Sequence, residues 1–458
     1  MSVIEEGSGH AFGKQLRGEV PRSSHGRFAP AHDRPDPVAV LTSQNETRIQ
    51  WLVPVRHWRM AQSPFAFYRG AAKLMALDLA TTPATGLQAQ ICGDAHLANF
   101  GAYGSPEREL VFDLNDFDET VPGPWEWDVK RLVASFAIAA RHNGLDAADE
   151  TDLAATASAT YRGAMSEFAQ MRYLEAWYAH LSVDDIFEAF ADELTKKERR
   201  SAAKFSRKAR AKDSLHSLSK LAEKVNGEYR IKTQPPLLIP AREFPIEEDA
   251  VEIRGGITTS LADYLASVPD HLEVLLRRFQ LRDIALKVVG VGSVGTRCSI
   301  VLLQGRDAED PFFLQVKEAS RSVLADHLPE SVYANQGQRV VVGQRLMQAA
   351  SDSFLGWTRG TISGTHYYWR QLKDMKASPE TESASLVALR RFAVLCGWTL
   401  ARAHARSGDS RAIAGYVGGG DVFDRAMADF AVAYADQNES DYAAFTAAIE
   451  SGAVAAHE

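Results

Sequence analysis

With 458 residues, 45% of them apolar and 24% charged, the chain is long enough for two or three packed lobes and too rich in core-forming side chains to be disordered as a whole. A formal net charge of −8 excludes a general binder of nucleic acid or of anionic membranes, since either partner rewards a surplus of Lys and Arg. The three cysteines, Cys92, Cys298 and Cys396, are far apart and odd in number, which argues against a disulfide framework and for a reducing compartment. The N-terminal stretch MSVIEEGSGHAFGKQLRGEV lacks the apolar core of a signal peptide, and nowhere do about 18 uncharged apolar residues run together as a membrane span requires. The expected location is therefore the cytoplasm, with no membrane or nucleic-acid partner.

In chain order, residues 1–45 are rich in Gly, Pro, Ser, His and charge and read as a partly ordered arm. Residues 46–245 are expected to form the first part of a helical lobe. Within it, SPFAFYRGAAKLMALDLA has apolar positions at helical spacing and predicts a buried helix from Ser63 to about Ala80. Long helical patterns then run from Trp125 to about Leu221. The basic stretch 195–212, TKKERRSAAKFSRKARAK, predicts a solvated helix face or a lobe connector, because the rest of the chain is acidic and few aromatics interleave; contact with a phosphate is the alternative. Near Tyr229–Ile239 the text turns strand-like and Pro-rich, as at a lobe boundary. Residues 246–376 are β-rich, with strands expected at ALKVVG, CSIVLL, FFLQVK, FLGW and HYYWRQL and a helix at QRVVVGQRLMQAA. Residues 377–458 return to helices that complete the first lobe.

The densest chemistry lies in CGDAHLANFG (92–101), ELVFDLNDFDE (109–119) and PGPWEWDVKRL (122–132). Phosphoryl transfer needs a carboxylate near the attacking hydroxyl and hard oxygen ligands that hold Mg²⁺ against the phosphates. Asp94, Asn99 and Asp116, the last expected at the end of an apolar strand, supply that set. Acids in turns are the competing explanation, since Asp and Asn favour turns for local hydrogen bonding; Asp113 and Asp118 are alternatives to Asp116. A metal site built on Cys92 and His96 lacks a third ligand, and a nucleophilic Cys92 lacks an assignable base.

This stretch resembles the HGDxHxxN and DFD elements of aminoglycoside phosphotransferases and choline kinases, with Asp94, His96, Asn99 and Asp116 in register. The resemblance implies that Asp94 and His96 belong to the catalytic loop, that Asn99 and Asp116 hold the metal, and that Asp128 is the helix-start aspartate bracing the loop. Cys92 departs from it, standing where those enzymes usually have histidine.

At residues 290–295 the chain reads GVGSVG, a pattern shared by dinucleotide-binding and kinase loops. A dinucleotide loop opens a helix, whereas a kinase loop joins two antiparallel strands; TRCSIVLLQG follows, so the second reading is favoured. Gly290, Gly292 and Gly295 would then cover the phosphates of ATP. Lys317, near the end of the next strand, would hold the α- and β-phosphates. A glutamate partner for Lys317 is missing from the following helix; Glu330, Gln338 and Gln344 are candidates, while Glu318 should point to the opposite strand face.

In kinase order the glycine loop precedes the catalytic loop, whereas here it follows by about 200 residues. The helix ending in LARAHARSGD (400–409) resembles one that leads directly into the catalytic loop of phosphotransferases. The expected fold is accordingly α+β, a protein-kinase-like two-lobed fold with circularly permuted lobe order, a rearrangement that packing tolerates when the new ends lie at the surface. From about Arg56 onward the chain also resembles the uncharacterised bacterial family known as domain of unknown function 2252, through SPFAFYRGAA, CGDAHLANFG, NDFDETVPGPWEWDVKRL, KVVGVGSVGTR, QVKEA, GQRVVVGQRLMQ and LARAHARSGD. The function implied is transfer of phosphate from Mg-ATP to a hydroxyl, with a small molecule favoured over a protein as acceptor. A nucleotide-binding pseudokinase or scaffold and an AMP-transferring enzyme are the rivals, and the acidic surface hints at a cationic acceptor. Oligomeric state is not legible.

Overall fold

The computed structural model describes residues 8–244, 247–360, 364–372 and 375–458. It is a mixed α+β structure, 52% helical and 15% strand. No helix among the described residues is long and apolar enough to cross a membrane.

The β-rich region is a six-stranded antiparallel sheet in the order Gly356–Arg359, His366–Gln371, Pro311–Glu318, Cys298–Gln304, Gln280–Lys287 and Leu238–Pro240. Side chains of a strand alternate between faces, and here both faces are covered. Val301 and Leu303 join a cluster with Ile284, Leu314, Val316 and Trp369. Ile300 and Leu302 instead pack with Ala285, Phe313 and Leu372. Burial on both sides explains why CSIVLL reads as an unbroken apolar run and not as an alternating one.

The largest core belongs to the helical region. Its axis is the helix Trp125–His142, in which every residue from Trp125 to Ala140 is buried, Glu126, Asp128, Lys130 and Arg131 included. Buried charges need partners, and these have them: Glu126 accepts from the Thr85 backbone N–H at 2.8 Å and Lys130 donates to the Thr82 hydroxyl at 2.8 Å. The helix Leu386–Ala405 lies against Ala147–Phe168 at a glycine: a Cβ added at Gly397 would stand 2.4 Å from the Ala157 carbonyl oxygen.

Most elements fall where sequence patterning puts them, with three differences. Residues 8–45, expected as a partly ordered arm, contain the helices Ser8–Glu19 and Pro37–Ser43 and bury His25; the first helix packs so closely on Ser410–Val417 that a Cβ at Gly415 would lie 2.1 Å from the His10 carbonyl. Residues 1–7 lie outside the described residues. The single helix expected over 63–80 is two, Pro64–Gly70 and Ala72–Leu79, because Ala71 leaves the helical region at φ −108°, ψ 27°. The strand expected at FLGW begins only at Gly356. The basic stretch forms the helix Lys196–Arg210, capped by Thr195, with only Ser206 and Ala209 buried; its charges are a solvated face.

Two glycine-to-alanine changes separate close packing from helix propensity. Gly397→Ala should lower stability by roughly 1–3 kcal/mol through overpacking. Gly163→Ala, with nothing within 4 Å of the added Cβ, should raise it by about 0.5–1 kcal/mol, the helix-propensity gain. Thermal unfolding of the two variants should move in opposite directions; equal shifts would contradict this packing.

Candidate functional site

The acidic stretch is built as a folded-back ribbon. The strand Gln88–Ile91 leads into Cys92 and Gly93, and the chain returns through Phe100–Gly104, Leu110–Leu114 and Val121–Pro124, the last pairing with Gln88–Ile91. Gly93 adopts φ +80°, and a Cβ there would meet the Glu119 carbonyl at 2.6 Å, so only glycine fits this corner. Asp128, in the first turn of Trp125–His142, accepts from the backbone N–H of Cys92 at 2.6 Å and of Gly93 at 2.9 Å. A carboxylate near the start of a helix is also favoured by the helix dipole. The expected bracing contact is thus present, and it extends further: His404 Nε2 lies 3.2 Å from Asp128 Oδ2 while its Nδ1 meets the Tyr161 hydroxyl at 2.9 Å. The Gln90 N–H donates to Ser407 Oγ at 2.9 Å. The end of the helix Leu386–Ala405 therefore abuts the start of the acidic stretch.

Asp94 pairs with Arg131, whose Nη2 stands 2.6 Å from Oδ1. Burial pushes the Asp94 carboxyl up to about 7 against the pull of Arg131, which suits a group that exchanges a proton near neutrality. His96 Nε2 is 3.7 Å from Asp94 Oδ2, and burial, with Arg131 and Arg69 nearby, holds the imidazole neutral. Asn99 donates its side-chain N–H to the Asp94 carbonyl at 2.7 Å, which leaves its amide oxygen for another partner.

The strand ahead of Asp116 stops at Leu114, so Asp116 sits in the following loop. Its Oδ1 is buried, accepts no hydrogen bond and lies 3.7 Å from Lys317 Nζ. Burial opposes its ionisation, but Lys317, Arg370 and Lys376 outweigh that and hold it below the usual carboxylate range. Asp113 is excluded from the site: it is buried against Arg402 and the backbone N–H of Ala349. Asp118 is the partner that Lys317 lacked in the sequence. Lys317 Nζ donates to Asp118 Oδ2 at 2.6 Å and the Tyr368 hydroxyl donates to Asp118 Oδ1 at 2.7 Å. Of the other candidates, Glu330 binds Arg321 at the surface, the side chain of Gln344 donates to Gln348, and the backbone N–H of Gln338 donates to the capping side chain of Asn335. Glu318 turns away, as strand alternation predicts, to accept from the Arg297 N–H at 3.0 Å.

Gly290 (φ +62°) and Gly295 (φ +88°) lie in the connection between Gln280–Lys287 and Cys298–Gln304, which pair antiparallel with Leu286 opposite Ser299. No helix follows the glycines. Residues 48–59, which carried no chemistry in the sequence, fasten this loop from outside: the Ile49 N–H donates to the Gly295 carbonyl at 2.8 Å and Arg59 to the Gly290 carbonyl at 2.6 Å. Arg339 is a second residue that sequence reasoning missed. Buried on the helix Gln336–Met347, it donates to the carbonyls of Thr120 at 2.7 Å and Asp118 at 2.8 Å. Its helix also holds Arg345 and three glutamines, so nothing local singled it out.

Two chambers meet at these groups. A cleft of about 710 Å³ contains Lys317 and Arg370, and a smaller one of about 370 Å³ contains Asp94, His96, Asp118 and Gly292. Arg69, Asn99, Asp116, Gly290 and Ser293 line both. Among the described residues no group of three or more His, Cys, Asp or Glu side chains is arranged to hold a metal alone. Asn99 and Asp116 instead offer two hard oxygen donors, one of them a buried carboxylate oxygen that accepts no hydrogen bond. Such a set fits Mg²⁺, which keeps several waters and takes its remaining ligands from phosphate. Cys92 is no ligand here; its Sγ donates to the Asp116 carbonyl at 3.1 Å.

A family model described as an uncharacterized protein conserved in bacteria matches residues 48–448. No curated protein and no solved structure matches the chain.

The Asp128 contacts generate a stability prediction. Asp128→Ala leaves two buried backbone donors without acceptors, at roughly 1–3 kcal/mol each. Its melting temperature should fall and the Cys92 and Gly93 amides should exchange hydrogen faster. Unchanged protection at those two amides would show that the carboxylate does not brace the loop.

Proposed function

The chain belongs to the bacterial family DUF2252, and from the two joined chambers we propose that it is a phosphotransferase that moves the terminal phosphoryl group of Mg-ATP to a hydroxyl of a small acceptor. The single observation that carries this reading is that Lys317, from the sheet, meets the Asp116–Asp118 loop across the cleft, with Lys317 Nζ 2.6 Å from Asp118 and 3.7 Å from Asp116.

In this reading ATP occupies the larger cleft, with Gly290 of the loop Gly290–Gly295 on its wall and Gly292 on the wall of the adjoining chamber; Gly295 lines neither and anchors the loop from behind, and Lys317 holds the phosphates. Mg²⁺ on Asn99 and Asp116 would neutralise charge that develops on the phosphate oxygens. Asp94, reaching the smaller chamber, orients the acceptor hydroxyl and takes its proton as the oxygen bonds to phosphorus and ADP departs. Arg131 fixes the Asp94 carboxylate, and His96, neutral and buried beside it, shapes the wall against which the acceptor rests. Asp118 performs the positioning that a helix glutamate performs in kinases, with Tyr368 as its second anchor. The protein supplies placement and electrostatic stabilisation, which dominate this reaction class.

The same contacts support a protein-kinase-like fold in permuted order. His404 against Asp128 and Ser407 against Gln90 bring the end of one helix to the start of the catalytic stretch. A continuous chain would make that connection in a kinase of ordinary order. The lobes would be residues 246–376 for the nucleotide, with 46–245 and 377–458 together forming the helical lobe. The pseudokinase alternative loses one of its two motives, since the absent helix acid is replaced by Asp118.

Asp94→Asn should reduce phosphotransfer by about 10²–10⁴-fold, the usual worth of a positioned base, while the thermal shift produced by Mg-ATP persists. Product formation with candidate acceptors, followed by mass spectrometry to separate phosphoryl from AMP transfer, makes the measurement. Full turnover by the Asn variant would refute the assignment of Asp94.

A further inference from the structure

The smaller chamber has a charge pattern that the composition of the whole chain conceals. Its volume of about 370 Å³ is of metabolite size. Most acids along its wall are already engaged: Asp94 by Arg131, Asp118 by Lys317, Glu318 by Arg297, Asp326 by Arg321, and Glu119 by the Val323 N–H at 2.7 Å. The cations are not matched in the same way. Lys73 makes neither an ion pair nor a hydrogen bond among the described residues. Arg69 has only Glu382, at 3.9 Å, and its Nε is buried without a partner. Arg48 donates to two carbonyls, of Gln44 and Val294, so its charge meets no carboxylate at contact distance.

Arg69 and Lys73 are four residues apart where the helices Pro64–Gly70 and Ala72–Leu79 join, and both line the chamber. Arg69 also lies where the two chambers meet, beside Asn99 and Asp116. Cations left unpaired, as Lys73 is, or paired only at long range, as Arg69 is, recognise an anion in a partly buried concavity more strongly than they would in open solvent, because less water competes.

We propose that the acceptor is a small hydroxyl compound carrying a carboxylate or phosphate group, gripped by Arg69 and Lys73 while its hydroxyl rests at Asp94. This deepens the phosphotransferase reading and depends on it for the role of the hydroxyl. It reverses the expectation of a cationic acceptor drawn from the acidic composition, because the local wall and not the net charge of −8 meets the substrate. Transfer would form an oxygen–phosphorus bond at the acceptor hydroxyl, break the bond to the β-phosphate bridging oxygen, and leave the acceptor's anionic group unchanged.

The test is a calorimetric titration of the full chain, with Mg²⁺ and a saturating non-hydrolysable ATP analogue, by four probes: glycerol 3-phosphate, glycerate, glycerol and choline. The two anions should bind at least tenfold more tightly than glycerol or choline, and comparison between them assigns phosphate or carboxylate. The double variant Arg69→Gln/Lys73→Gln should lose tenfold or more in affinity for the preferred anion. Equal binding of the neutral or cationic probe, no binding of either anion, or undiminished affinity in the double variant would each overturn the inference. Failure of the ATP analogue to bind would instead count against the phosphotransferase reading, and the anion titrations, repeated without analogue, still read the chamber.

Discussion

The buried contact between Lys317 and the Asp116–Asp118 loop governs the rest of the structure. An ammonium only 2% exposed is stripped of water, a cost that its two carboxylates offset through short range and low local dielectric. Its partners come from a loop 199 residues earlier in the chain, so the sheet must close on the acidic ribbon for that compensation to exist. Tyr368 from the neighbouring strand and Arg339 from the covering helix hold the same loop from two further directions. Tyr368 reaches the Asp118 carboxylate and Arg339 the Asp118 carbonyl, so side chain and backbone of the loop are each held.

That arrangement sets two chambers side by side. The larger contains Lys317 and Arg370; the smaller contains Asp94, whose carboxyl has its proton affinity raised by desolvation. Arg69, Asn99, Asp116, Gly290 and Ser293 at their junction belong to both. Gly290 fits the same plan: at φ +62° it lines both chambers with no side chain in the way.

Much of this was legible in the sequence because short-range chemistry fixes it. The acids of 92–119 located the ribbon, the resemblance to phosphotransferases pointed to Asp128 as its brace, and the strand-forming text after Gly295 told a hairpin loop from a helix-opening one. Long-range pairing was less accessible. Nothing local distinguishes Asp118 from Asp113; only the closed sheet shows that one faces Lys317 and the other Arg402. Arg339 and the residues that fasten the glycine loop were missed for the same reason, since their contacts are with carbonyls, which carry no sequence identity. The N-terminal helix was mistaken for an arm because it is rich in glycine, of which Gly13 admits the backbone of Ser410–Val417: a Cβ there would lie 1.8 Å from the Ala412 carbonyl oxygen.

The contact of His404 with Asp128 has a consequence for biosynthesis. The two residues are 276 positions apart, and a ribosome adding about 5–20 residues per second needs on the order of 15–55 s to pass from one to the other. Throughout that interval the acidic ribbon has emerged but its histidine has not, and Lys317 joins it only part of the way through. A nascent chain therefore carries the ribbon without its histidine contact until translation is nearly over.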